Sequence, residues 1–256
     1  GFNWQRGPFE MIDAIGNERM AELFAEAGVE TPTVLTEGSE FYRAEGRTLE
    51  VRHAGGGYQP VSLPEGVMRF HMTRRTLTPV TANNSASLFA LEGDLRLVEF
   101  HSKANALTDE SMEIVAAAAA DHGKGIIIHN DAQHFSAGVD LNAFRAYIEA
   151  EDWDGIDGFL DRFQKAVCAL KYTPVPVVGA PSGLAAGGGY EVLAHCDRLV
   201  VHTNSVMGLV EAGVGVVPGG GGIKDTFFRW HAAKDSWDEA AWQTWMNIGY
   251  GATGSS

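Results

Sequence analysis

Three short aliphatic runs, Ile126-Ile127-Ile128, Val175 to Val178 and Leu199-Val200-Val201, recur along the second half of the chain with helix-compatible sequence between them. A strand covered on both faces reads as a continuous apolar run, whereas a strand with one wet face alternates. The repetition therefore predicts a parallel sheet with helices packed on it, the α/β class. Upstream, Leu88-Phe89-Ala90-Leu91 and Leu95 to Phe100 flank Glu92-Gly93-Asp94, the pattern of a hairpin. Thr108 is suited to cap a helix that carries Asp109 and Glu110 in its first turn, runs through Met112 and Val115 into five alanines, and ends by Gly123. Further helices are expected around Leu141 to Ile148 and Ile156 to Leu170.

The first part of the chain reads differently. Phe9, Ile12, Ile15, Met20, Leu23 and Phe24 fall at helical intervals, with Pro8 suited to a first turn and Gly16 and Gly28 to helix ends. From 32 to 85 the pattern weakens into Pro, Gly, Thr and Asn, with short strands at most over Thr48 to Val51 and Val67 to Phe70. The expected organisation is a helical segment over 1–31, a linker with limited structure over 32–85, and the main α/β domain over 86–256. The chain starts without Met at Gly1-Phe2-Asn3-Trp4 and ends in a loop-like Gly249 to Ser256, which suggests a piece of a longer polypeptide with material missing at both ends.

Charge narrows the partners. Nineteen basic residues against 33 acidic ones give a net charge of −14, the wrong sign for a nucleic-acid groove or an anionic membrane surface. An anionic ligand must then be held by backbone amides or a few cations. No apolar run reaches the roughly 18 to 20 residues of a membrane span, and the first residues lack the basic-then-apolar pattern of a signal peptide. Two cysteines, Cys168 and Cys196, make no disulfide framework, so a cytoplasmic setting is expected.

Three segments carry groups that could do chemistry: Phe135 to Leu141, Gly183 to Glu191, and Val210-Glu211 leading to Pro218-Gly219-Gly220-Gly221-Gly222. Glycine-rich corners usually exist for positive φ or close approach, and a Glu in a first helical turn usually answers the helix dipole. Together, however, they allow more. Gly187-Gly188-Gly189 lies between a strand and a helix, where unpaired amides bind negative charge. Ala137-Gly138 permits tight approach of a second free amide, at Val139, with Asp140 capping the helix behind it. Two converging amides make an oxyanion hole, and Glu191 and Glu211 could divide acid and base roles beside it. Other sites are disfavoured: the histidines have no zinc spacing, Cys196 suits packing, no Gly-x-Ser-x-Gly occurs, and no Lys-Ser or Lys-Thr follows the four glycines. Aromatic residues from Phe227 to Trp245 have near-helical intervals and suit core or subunit packing.

Ser136-Ala137-Gly138-Val139-Asp140-Leu141, Gly187-Gly188-Gly189-Tyr190-Glu191, Cys196-Asp197 and Val210-Glu211 with Pro218 to Gly222 strongly resemble the crotonase, or enoyl-CoA hydratase, superfamily over residues 86 to 225. The resemblance implies a ββα-spiral core. It implies that the Val139 and Gly188 amides hold a thioester oxygen, and that Lys103, Ala104, Ala106, Ala137, Gly138, Asp140 and Leu141 grip the CoA end. It further implies that Glu191 activates water for attack at C3, and that Glu211 positions the same water and exchanges the proton at C2. Val139 replaces the commoner Ala, and Tyr190 the commoner Cys. Residues 1 to 16 are similar to the C-terminal helical region of 3-hydroxyacyl-CoA dehydrogenases. The joint implication is an enoyl-CoA hydratase within a multifunctional β-oxidation enzyme, acting on acyl-CoA without a metal or other cofactor, and assembled as a homo-oligomer or β-oxidation complex. Alternatives are enoyl-CoA isomerisation and a non-catalytic assembly module. No Gly-x-Gly-x-x-Gly follows a strand near the start, so no NAD site is expected there.

Overall fold

In the computed structural model, which describes residues 7–36, 40–46, 48–54, 56–66, 69–250 and 253–254, the chain divides into two units, Gly1–Thr78 and Pro79–Ser256. The predicted N-terminal helical stretch forms as α1 (Pro8–Ile15) and α2 (Asn17–Glu26), broken at Gly16, whose φ is 91°. The following residues are not the linker with limited structure expected over 32–85. They carry α3 (Thr33–Thr36), an antiparallel sheet of β1 (Tyr42–Glu45), β2 (Thr48–Arg52) and β3 (Tyr58–Pro60), and α4 (Phe70–Thr73).

Long-range contacts explain what the local pattern concealed. The Asp13 carboxylate accepts the amides of Phe41 and Tyr42 at 2.6 and 2.8 Å, and Phe9 stacks on Phe41 with ring centroids 4.5 Å apart, so α1 is fastened to β1. Leu35, Phe41, Leu49 and Phe70 are buried. The strand expected over Val67 to Phe70 is corrected in part: residues 67 and 68 lie outside the described residues, and Phe70 opens a helix.

The second unit begins with β4 (Thr81–Ala82), β5 (Ala86–Leu91) and β6 (Leu95–Phe100); β5 and β6 form the predicted hairpin, turned through Gly93 and Asp94 at φ 77° and 63°. There follow α5 (Asp109–Ala120), β7 (Gly125–His129), α6 (Leu141–Glu149), α7 (Trp153–Lys171), β8 (Val177–Ala180), β9 (Leu184–Ala186), α8 (Gly188–Ala194), β10 (Arg198–Leu199), β11 (Val206–Gly208), α9 (Gly222–Lys234), α10 (Trp237–Tyr250) and β12 (Thr253–Gly254). One sheet has the order β10-β8-β7-β6-β5-β4, antiparallel from β4 to β6 and parallel from β6 to β10. A smaller sheet, β12-β11-β9, carries the strand that feeds α8.

Thr108 caps α5 as expected, its hydroxyl accepting the Ser111 amide. The core lies between the large sheet and the helices: Met112 and Val115 of α5 and Phe159, Phe163, Val167 and Leu170 of α7 join Val98, Phe100, Ile126, Ile128 and Val177 in one cluster. Burial of side chains this size is worth about 1.5–3 kcal/mol each. The third aliphatic run departs from expectation. Its strand β10 is a sheet edge, and Val200 beyond it is 66% exposed, with no further strand paired on that side among the described residues. Among the described residues no helix is long and apolar enough to cross a membrane.

Candidate active site

The site is built where two glycine corners lean on each other. Gly187, at φ 51° and ψ −121°, turns the chain from β9 into α8, a backbone shape that side chains resist. Gly138, at φ 96°, brings the preceding loop so close that a Cβ there would lie 3.0 Å from the Ala186 carbonyl oxygen and 3.7 Å from the Gly188 nitrogen. A Cβ on Gly188 would stand 2.8 Å from Val139 Cγ2. Ser136 secures the approach: it pairs with Ala185 across the gap, and its hydroxyl accepts the Gly138 amide at 3.1 Å.

This packing leaves two amides without acceptors among the described residues. Val139 faces Leu107 in a parallel bridge, but the bridge uses the Gly138 carbonyl and the Asp140 amide, so the Val139 N–H points away from it. Gly188 opens α8, where an N–H has no partner within the helix. The Val139 and Gly188 backbones therefore adjoin, both with unused donors.

The residues expected to grip a CoA end also adjoin. Lys103 to Asn105 form a 3₁₀ turn in which Ala104 takes φ 55°, and the Ala104 carbonyl accepts the Ala137 amide at 3.2 Å. Leu107 donates to the Gly138 carbonyl, while the Asp140 side chain caps α6 by accepting the Asn142 amide at 2.9 Å. Lys103, Ala104, Ala137 and Leu141 are exposed, and Ala106 is partly so.

Both carboxylates arrive at the same place. Glu191, in the first turn of α8, is 2% exposed, and its Oε1 accepts the Gly222 amide at 2.9 Å. Absent side chains make the room: a Cβ on Gly220 would lie 2.5 Å from Glu191 Oε2, and one on Gly222 would lie 2.7 Å from its Cγ. Burial pushes the Glu191 carboxyl up to about 7; the Glu211 charge adds to the rise, while the Gly222 and Gly220 amides and His195 oppose it. Glu211, on the 3₁₀ turn after Val210, comes within reach of the oxyanion corner, since a Cβ on Gly187 would stand 3.0 Å from its Oε1. Burial raises its carboxyl as well, against hydrogen bonds from its own amide and that of Val210. Glu211 Oε2 is buried with no hydrogen-bond partner among the described residues.

Two features escaped the sequence reading. Phe163 of α7, buried in the core, backs the site: a Cβ on Gly188 would be 3.5 Å from its ring, and one on Gly220 would be 2.4 Å away. It gave only the signal of an apolar helix face. His195 and Asp225, 0% and 1% exposed in their side chains and 2.6 Å apart, sit behind Glu191 with Lys171 on the far oxygen of Asp225. Nothing in sequence separation announces that trio. Cys196, beside His195, is packed in the core with its thiol pushed up by burial to about 12, an environment for packing and not for a nucleophile. Among the described residues no group of His, Cys, Asp or Glu could hold a metal ion.

Comparison with known proteins places this geometry. The family model described as enoyl-CoA hydratase/isomerase matches residues 95–230. A Bacillus subtilis protein named "Probable 3-hydroxyacyl-CoA dehydrogenase" is 34% identical over 239 residues, 90% of this chain and 30% of the relative. The fatty acid oxidation complex subunit alpha of Idiomarina loihiensis is 33% identical over 102 residues, 40% of this chain and 14% of that protein. The chain thus spans less than a third of either relative. Among solved structures, an enoyl-CoA hydratase/carnithine racemase from Magnetospirillum magneticum superposes with a TM-score of 0.58 at 17% identity, covering 68% of this chain and 64% of the other, a likeness of fold. With a matched family model, the crotonase fold and both glycine corners in place, the chain belongs to the enoyl-CoA hydratase/isomerase family.

Proposed function

We propose that this chain adds water across the 2,3 double bond of an enoyl-CoA thioester, as the hydratase part of a multifunctional fatty-acid β-oxidation enzyme. The observation that carries this reading is the nearness of two carboxylates, the buried Glu191 and the half-buried Glu211, to two amides with no acceptor among the described residues.

The chemistry follows from those groups. The thioester oxygen takes the Val139 and Gly188 N–H groups, which stabilise the negative charge that grows on it as water attacks. Glu191, poised near neutrality, draws a proton from the water as its oxygen bonds to C3. Glu211 turns its unpartnered oxygen to the same water and returns a proton to C2, so one water is consumed and the acid pair is restored by proton exchange. Lys103, Ala104, Ala106, Ala137, Gly138, Asp140 and Leu141 carry the CoA end on the exposed side of the paired loops. The thioester is itself the activating group, so no cofactor is called upon.

The test is to follow the conjugated thioester absorbance when the whole protein meets a 2-enoyl-CoA. Loss of absorbance with appearance of the 3-hydroxyacyl product supports hydration. No loss, alongside conversion of a 3-enoyl-CoA, replaces the reading by isomerisation, and inertness to both replaces it by a non-catalytic assembly role.

A further inference from the structure

We propose that the buried chain Lys171–Asp225–His195 is a positioning device for Glu191, bracing α8 against α9 so that the carboxyl stays on the Gly222 amide. This rests on the hydratase reading only where turnover is the readout.

The brace is visible in contacts that tie the end of α8 to α9, with α7 joining from behind. His195 closes α8, and its Nδ1 lies 2.7 Å from the carbonyl oxygen of Glu191. Its Nε2 lies 2.6 Å from Asp225 Oδ2 on α9, whose other oxygen meets Lys171 Nζ at the end of α7. Arg229, one turn further along α9, donates to the Ala194 and Cys196 carbonyls. The start of α9 supplies the Gly222 amide that Glu191 accepts. Gly221, at φ 102°, lies against the imidazole: a Cβ there would be 3.1 Å from His195 Cε1. The glycine turn therefore wraps the carboxyl with Gly220 and Gly222 and the imidazole with Gly221.

Electrostatics give the brace a second effect. Both nitrogens of His195 face oxygen atoms, Nδ1 the Glu191 carbonyl and Nε2 the Asp225 carboxylate. Burial opposes the Asp225 charge, yet His195 and Lys171 outweigh it and hold that carboxyl at about 2. His195 in turn favours the charged form of Glu191. The other groups bearing on Glu191 are Glu211, which favours its neutral form, and the Gly220 and Gly222 amides, which favour the charged one. Removing the imidazole therefore lets the Glu191 carboxyl rise further.

His195→Gln and Lys171→Met in the whole protein test this. The protonated-carboxyl infrared absorption that vanishes in Glu191→Gln titrates Glu191 without any turnover. Its midpoint should rise by up to about one pH unit in His195→Gln and by less in Lys171→Met, since a group that favours the charged carboxyl is lost or displaced. The acid limb of kcat should move with it while KM stays put. A midpoint fixed at the wild-type value in the variants that fold, with only a lower Tm, overturns the proposal and leaves the trio a packing element. Should His195→Gln not fold, Lys171→Met, altered at the less buried end, decides alone. A shifted midpoint in a protein that hydrates no enoyl-CoA would sink the functional reading and sustain the brace.

Discussion

Glu191 and Glu211, the two acids of the proposed site, come from regions built on opposite plans. Glu191 is sealed in, with Gly222 on its carboxylate, a glycine turn around it and a braced helix beneath it. Glu211 sits half-buried on a 3₁₀ turn of exposed neighbours, held by the amides of that same turn, with one oxygen left unpartnered. The contrast teaches that two neighbouring acids can be held by different means, one fixed by distant parts of the chain and the other by its own turn with one buried oxygen left unpartnered. The fixed acid needs distant helices; the open one needs only its own turn.

The largest expected effect breaks the pair itself. Glu191→Gln or Glu211→Gln should each lower kcat for a 2-enoyl-CoA by about 10²- to 10⁴-fold, the scale of a lost acid–base group. The two should differ in stability, because Glu211→Gln disturbs no amide beyond its own turn. Unchanged turnover in either, with the circular dichroism spectrum intact, removes that acid from the mechanism.

Separating the amides while leaving the acids alone is the next test. Gly188→Ala would place a Cβ 2.8 Å from Val139 Cγ2, so either the Val139 side chain or the corner that carries it must shift. A shift approaching 1 Å at reacting groups costs on the order of 10²-fold in rate. Steady-state kcat near the wild-type value would show that the amide pair is not what the substrate uses.

Stability against pH sharpens the contrast further. The Glu191 carboxyl is raised from an ordinary 4.5 to about 7, so the folded state holds its proton more tightly than the unfolded chain. Stability tied to this group is therefore full below about 4.5 and lost as pH rises to about 7, by about 3 kcal/mol. Glu191→Gln should recover most of that at pH 8 in urea denaturation while abolishing turnover. A variant less stable than wild type at pH 8 would contradict the burial account. The same ionisation predicts that wild-type kcat falls as pH drops below about 7, read from a pH–rate profile.

The smallest effect serves as the measure of specificity. Lys165→Ala removes an exposed pair with Asp161 on α7, 2.7 Å long, and should change stability by less than about 0.5 kcal/mol with kcat unaltered. A larger loss would mean that α7 transmits to the site through its outer face.

Some of this was legible before any coordinate. Thr108 and Asp140 cap helices, and Gly93-Asp94 turns a hairpin, because each depends on chemistry within three residues of itself. The glycine corners at 138 and 187 and the short aliphatic runs were equally local signals. The segment 32–78 misled for the opposite reason: its sheet is fastened by Asp13 and Phe9 from far upstream, and its strands are too polar to show burial. Val200 misled because an aliphatic run does not say whether its strand lies inside a sheet or at the edge.

The sequence by itself determined the α/β class, the caps, the turns and which residues could offer an oxyanion corner, since these follow from φ preference and periodicity over a few residues. Only the tertiary structure decided that Glu211 comes near enough to Glu191 to bear on its charge, that Glu191 is sealed and raised to about 7, and that His195, Asp225 and Lys171 stand behind it. Burial and charge act through space, and the groups that set them come from chain positions that no local spacing connects.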